Sequence, residues 1–278
     1  MTPNGYNIVS LSGAPTLAAV LRIEGVCNVK QFGAYGDGVQ DDTDAIQAAI
    51  DFAFSFGFGF VKSVYLPAGK YMITGIVVKS YVTLFGDGDM SILSLPADVA
   101  AGTYSIVSIV DSSANSIVLR DFSIWGDNNN QGNSPTVYGL DINTGAPIIY
   151  SRFEGLYIKE CQNHALIIRG GGGADNCLFD RCMFRDSKGN ANIYIASADK
   201  LEFNQCRIRS GKVGAGHGVL CDNLGNLRIK FIACRIDDNN GWGFYATNTS
   251  DTITVEGCEL ISNDGGGIFI DRSQFSLI

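Results

Sequence analysis

The chain has 278 residues, with 20 Lys and Arg against 28 Asp and Glu, so its formal charge is −8; it carries 34 glycines and only 6 prolines. With 46% hydrophobic and 17% charged residues it holds enough apolar material for a sizeable core, which excludes a wholly disordered chain. No run of eighteen uncharged apolar residues occurs, so membrane insertion is not expected, and the acidic balance disfavours nucleic acid as a partner.

From the N-terminus, the opening MTPNGYNIVS lacks a basic stretch followed by an apolar run, which reads against a cleavable secretory signal. Residues 1–28 are expected to be a leader or attachment segment, 29–112 a cap with the first coils, and 113–278 regular coils left unfinished at the C-terminus. One segment carries a helical period. Asp41, Asp42 and Thr43 supply capping oxygens and early negative charge, and Ile46, Ala49, Ile50 and Ala53 recur on one face, predicting an amphipathic helix over about 42–55.

Nearly everything else alternates in short β-branched or aromatic runs broken by Gly, Asn, Asp and Ser. Between residues 117 and 260 the pattern apolar-x-x-apolar-x-apolar recurs as Leu119/Phe122/Ile124, Phe153/Leu156/Ile158, Phe179/Cys182/Phe184, Phe203/Cys206/Ile208, Phe231/Cys234/Ile236 and Val255/Cys258/Leu260. The central positions lie 34, 26, 24, 28 and 24 residues apart. A second short strand follows each triplet, as in Leu140/Ile142, Leu166/Ile168 and Ile193/Ile195. A unit of this size without a helix buries its apolar side only by stacking on its neighbours. The expected fold is all-β, a single-stranded right-handed parallel β-helix with one N-terminal capping helix. The three-residue step marks the corner between strands, and Cys182, Cys206, Cys234 and Cys258 fall into one interior ladder. The eight cysteines contain no CxxC and no metal-ligand spacing, so they read as buried free thiols, with no metal or other cofactor implied.

Residues 29–71 carry a family resemblance. Val29 to Thr43 (VKQFGAYGDGVQDDT), Ala45 to Ile50 (AIQAAI) and Val64 to Tyr71 (VYLPAGKY) resemble the N-terminal signature of the pectate lyase-like β-helix superfamily. That superfamily includes polygalacturonases, pectate lyases, epimerases and bacteriophage tailspike depolymerases. The resemblance implies a fold and places no catalytic residue. Gly216-His217-Gly218 and Arg228-Ile229-Lys230 look like polygalacturonase motifs, but only eleven residues separate His217 from Arg228 and no Asp-Asp pair precedes His217 by one coil. His217 therefore reads as a turn histidine and Lys230 as a solvated side chain.

Alternation fixes outward columns. The column Arg120, Glu154, Asp180, Asn204, Ile232, Glu256 brings Glu154 and Asp180 together at about 5 Å, with Glu202 close by. Paired carboxylates suit glycoside hydrolysis, and these three are the candidate catalytic residues, against the plainer reading of a polar outer face. Lys159, Arg185, Arg207, Arg209 and Arg235 form a basic stripe, either neutralised by acidic neighbours or binding an acidic polysaccharide. If it binds substrate, β-elimination enters as the alternative to hydrolysis. On the second strand, Asp141, Ile167, Tyr194, Leu220, Tyr245 and Phe269 make an apolar outward column, an interface or a sugar platform.

The resemblance together with these columns implies a phage tailspike-like protein, located in the virion tail and acting outside the cell, that binds and depolymerises a bacterial surface polysaccharide. As in tailspikes, a parallel homotrimer is expected, with Tyr194, Tyr245 and Phe269 at its interface. The rival readings are a non-catalytic glycan-binding or structural tail component and a secreted pectin-type lyase or hydrolase.

Overall fold

A computed structural model describes residues 25–55, 63–110, 115–211, 216–222, 228–247, 252–271 and 274–277. Most of the leader segment falls outside the described residues. Val26–Asn28 is already a strand of the stack, pairing with Ser63–Leu66.

Among the described residues the strands form three parallel sheets of eleven, nine and eight strands, here A, B and C. The chain visits A, then B, then C, and returns to A one coil further on, so each strand pairs with its counterpart in the preceding and following coils. This is a parallel β-helix. The triplets identified in the sequence stack in register: Phe153 on Phe179, Phe203 and Phe231 in sheet A, and Ile158 on Phe184, Ile208 and Ile236 in sheet B. The phenylalanine rings stack at centroid distances of 4.3, 4.8 and 4.7 Å, all fully buried.

The three-residue step has a backbone cause. Between sheets A and B six successive coils each place one residue in the left-handed region: Asp121, Gly155, Arg181, Gln205, Ala233 and Gly257, with φ from 49° to 58°. A second such column follows sheet B, comprising Glu160, Asp186, Ser210, Asp238 and Ser262, with φ from 54° to 58°. One left-handed residue turns the strand sharply and returns the next side chain to the interior.

The cysteine ladder fills the interior beside the first corner. Each Sγ of Cys182, Cys206, Cys234 and Cys258 lies 3.3–3.4 Å from a carbonyl oxygen of the preceding coil, at Phe153, Phe179, Phe203 and Phe231. All eight cysteines are free, and only Cys258 is partly exposed. The helix spans Thr43–Ser55 and buries Ile46, Ala49, Ile50 and Ala53. Asp41 accepts from the Thr43 N–H at 2.9 Å, while Asp42, fully buried, accepts from the N–H groups of Tyr35 and Gly36 and fixes the loop before the helix. The strand Gln274–Leu277 joins sheet A beside Thr252–Glu256, matching the further coil expected from Gln274 onward; Ile278 lies outside the described residues.

Candidate functional site

Sheet A carries the expected carboxylates. Glu154 is in register with Asp180, and Asp180 with Asn204, one strand spacing apart. Glu202 stands two residues to the side, in register with Leu178 and Lys230, so the structure pairs two of the carboxylates and sets the third in a neighbouring row. Asp180 is nearly buried and both its oxygens are engaged, by Asn204 Nδ2 at 2.8 Å and Arg181 Nη1 at 2.8 Å. The carboxylates of Glu154 and Glu202 have no hydrogen-bond or ionic partner among the described residues. Glu202 and Lys230 line a groove of about 460 Å³ with Lys200, Arg228, Thr252 and Thr254.

Sheet B carries the basic stripe as two rows. Lys159, Arg185 and Arg209 are in register in one, Arg207 and Arg235 in the other. Every cation meets a carboxylate of the same chain. Lys159 lies 2.8 Å from Glu160, Arg209 2.5 Å from Asp238, and Arg185 contacts Asp186. Arg207 grips Asp237 with two hydrogen bonds of 3.2 and 3.0 Å, and Arg235 sits 3.6 Å from Asp237 and 3.4 Å from Glu259. Burial pushes the Asp237 carboxyl up, but the bonds from Arg207 and the charges of Arg207, Arg209 and Arg235 outweigh it and hold it below the usual carboxylate range. Neutralisation by acidic neighbours is therefore the arrangement found.

Sheet C holds a cluster that the outward columns did not bring together. Tyr138, His164, Ala191, His217 and Trp242 each stand two residues before a fully buried apolar residue of sheet C: Leu140, Leu166, Ile193, Val219 and Phe244. The intervening position also faces inward. At Gly139 an added Cβ would lie 2.4 Å from the Ile158 side chain, and at Gly218 2.5 Å from Ile236, so two consecutive residues point inward and the one before them points out. His217 consequently opens the strand His217–Asp222 and is 7% exposed, correcting the turn histidine read from the sequence.

The two histidines are held in opposite tautomers. His164 Nδ1 donates to the Ala191 carbonyl at 2.7 Å, because a carbonyl only accepts, which leaves Nε2 as a lone-pair acceptor. His217 Nδ1 accepts the Trp242 N–H at 2.9 Å, which puts the proton of the neutral ring on Nε2. Burial pushes His164 down to about 4, assisted by Arg169, and also lowers His217, so both rings are neutral at pH 7. Among the described residues neither Nε2 has a partner, and neither is among the buried unsatisfied atoms. Two coils separate them, roughly 10 Å, and the coil between contributes Ala191 and the Tyr194 ring, which stacks on His164.

Around the imidazoles, His164 stacks between Tyr138 at 6.0 Å and Tyr194 at 5.3 Å, and His217 stacks on Tyr245 at 4.5 Å. Asp141, 3% exposed, accepts from Ser105 at 2.7 Å and from Arg169 at 3.2 and 2.8 Å, while the Arg169 guanidinium lies over the Tyr138 ring at 4.8 Å. The apolar column is less open than expected. Ile167 and Leu220 are 4% and 6% exposed, since each sits in register between two larger or charged neighbours, and the open apolar surface contracts to Tyr194, Tyr245 and Phe269.

Comparison with known proteins places this geometry. The mannuronan C5-epimerase AlgE5 of Azotobacter vinelandii is 52% identical over 69 residues, 22% of this chain and 7% of the epimerase. A probable glucan endo-1,3-beta-glucosidase of Arthroderma benhamiae is 32% identical over 255 residues, 87% of this chain and 26% of that protein. This chain thus spans a small fraction of the curated relatives it matches. Among solved structures, the Dettilon tailspike protein superposes with a TM-score of 0.67 at 15% identity, covering 92% of this chain and 47% of the tailspike, a likeness of fold. Residues 26–269 match the rhamnogalacturonase A/epimerase, pectate lyase-like family, and with nearly the whole described stack inside that match the chain belongs to it.

Proposed function

We propose that this chain is the polysaccharide-acting body of a tailspike-like protein that depolymerises an acidic bacterial surface polysaccharide, and that sheet C breaks the bond by β-elimination. The observation that carries this reading is the pair of neutral imidazoles with opposite tautomers on one face of sheet C, beside Tyr194. A uronate seated there offers its C5 proton to His164 Nε2. The electron pair left behind forms the C4–C5 double bond, the C4–O bond breaks, and the leaving oxygen takes a proton from the His164 imidazolium or from water. His217 Nε2–H donates to the substrate carboxylate as it gains enolate character. A substrate carboxylate beside His164 also raises the basicity of a ring that burial has weakened, since an adjacent anion favours imidazolium.

Tailspike neighbours of the same fold and polysaccharide-active relatives support the tailspike reading, as does the patch of Tyr194, Tyr245 and Phe269, which we assign to the contact between copies in a parallel homotrimer. Hydrolysis by Glu154, Asp180 and Glu202 is the second reading, favoured by the registered pair Glu154 and Asp180; engagement of both Asp180 oxygens tells against it. The assay is ultraviolet absorbance of the unsaturated uronide, beside reducing-end release, from a panel of acidic capsular polysaccharides. His164→Gln should lower turnover 10²-fold or more, in the range of general-base loss, while Glu154→Gln and Asp180→Asn leave it unchanged. Reducing ends without unsaturated product, lost in the two carboxylate variants, would move the chemistry to sheet A.

A further inference from the structure

The groove on sheet A is unlike the rest of the charged surface. On sheet B every cation of the stripe is closed onto a carboxylate. Glu202 and Lys230 are opposite charges in register on adjacent strands, yet no ion pair forms between them. Thr252 and Thr254 likewise have no hydrogen-bond partner among the described residues. Four polar side chains, one anionic, one cationic and two hydroxyl, thus face one groove of about 460 Å³ with their hydrogen-bonding capacity unspent. Lys200 and Arg228 flank them, held by Asp175 and by Asp199 respectively.

Its position matters as well. Sheet C strand Ala191–Ile195 leads into sheet A strand Ala198–Asn204, which carries Glu202, and the chain then crosses sheet B before reaching His217. The groove therefore starts at the level of His217 and runs two coils beyond it, away from His164, one corner away around the stack.

We infer that this groove is a second, non-catalytic binding site for an acidic polysaccharide, with Lys230 meeting a sugar carboxylate and Glu202, Thr252 and Thr254 bonding sugar hydroxyls. The inference rests on the polysaccharide reading above and adds a separate site to it. A polymer held here is tethered close to sheet C, which raises its effective concentration there without any new contact at the reacting bond.

Affinity electrophoresis of the full chain through native gels containing alginate, polygalacturonate or hyaluronate measures binding without requiring cleavage. Lys230→Ala should weaken retardation at least fivefold in the polysaccharide that retards the wild type, with the loss shrinking as salt is added. Thr254→Trp, which fills the groove and leaves its charges in place, should do the same, and circular dichroism checks that each variant folds. His164→Gln should be retarded like the wild type. Wild-type retardation in both groove variants overturns the inference, and if the polymer is still cleaved in a His164-dependent way the sheet C chemistry stands without it. Loss of binding in the groove variants with undiminished cleavage by His164→Gln has the reverse meaning. A wild type retarded by none of the three polymers overturns the groove site as stated.

Discussion

His164 donates from Nδ1 to the carbonyl oxygen of Ala191 on the next coil, 2.7 Å away, which fixes its tautomer, while burial among tyrosines keeps the ring neutral. That burial has a consequence for stability. The ring titrates near 6.5 when the chain is unfolded and near 4 when folded, so between these values the unfolded state binds more protons. Stability should be complete above pH 6.5 and fall as pH drops toward 4, by at most about 3 kcal/mol from this group. Urea midpoints of wild type and His164→Gln at pH 7 and 4.5 check this: the wild type should lose the more on acidification, and equal losses would remove the linkage.

Asp237 is 2% exposed at its side chain and faces Arg207, Arg209 and Arg235. Asp237→Asn leaves these cations without their shared counter-charge and should cost about 3 kcal/mol, the low end for breaking a buried pair. Asp238→Asn, whose carboxylate is 45% exposed, should cost under about 1 kcal/mol. Chemical denaturation of both variants makes the comparison, and similar losses would contradict it.

Phe203 sits in the middle of the ring stack, between Phe179 and Phe231. Phe203→Ala should destabilise by about 3–5 kcal/mol, because rungs held from above and below cannot collapse into the space. Phe203→Leu should cost clearly less. Thermal or urea unfolding reads both.

The cysteines give a chemical count. Burial pushes Cys27 and Cys177 up to about 11, and hydrogen bonding with Cys206 takes Cys234 up to about 12. An aromatic disulfide reagent at pH 8 should find almost no reactive thiol in the native protein, with slow reaction at the partly exposed Cys258, and close to eight after denaturation without reductant. A denatured count near zero would mean that the ladder is oxidised.

The interior was legible because burial imposes a strict period. Phe153, Phe179, Phe203 and Phe231 recur with the same offsets to their neighbours, and a shifted register would have exposed every one of them. The sheet C site was not, because outward positions were assigned by simple alternation and alternation fails at a corner. Gly139 and Gly218 face inward beside Leu140 and Val219, so the outward residue is displaced by one; His217 falls where a turn was read, and His164 lies outside every column that was drawn. A signal was present: Tyr138, His164, His217 and Trp242 each precede by two residues an apolar anchor of the second strand, namely Leu140, Leu166, Val219 and Phe244. The fate of the basic stripe was out of reach for a different reason. Which carboxylate an arginine meets depends on side chains crossing between coils, as Arg207 does to Asp237, 30 residues on.

Glu160, Asp186 and Asp238 each do two jobs at the second corner: their backbones take the left-handed turn, and their carboxylates hold Lys159, Arg185 and Arg209. Bend and charge are thus written in one residue, so a single substitution can reach both. Replacing Asp186 by Gly would keep the turn and strand Arg185. Replacing it by Lys would oppose both at once. New surface charge is introduced more safely at exposed turn positions with ordinary backbone, such as Asn129 in the turn from Gly126 to Pro135, than at Asp127 or Ser134, which are themselves left-handed.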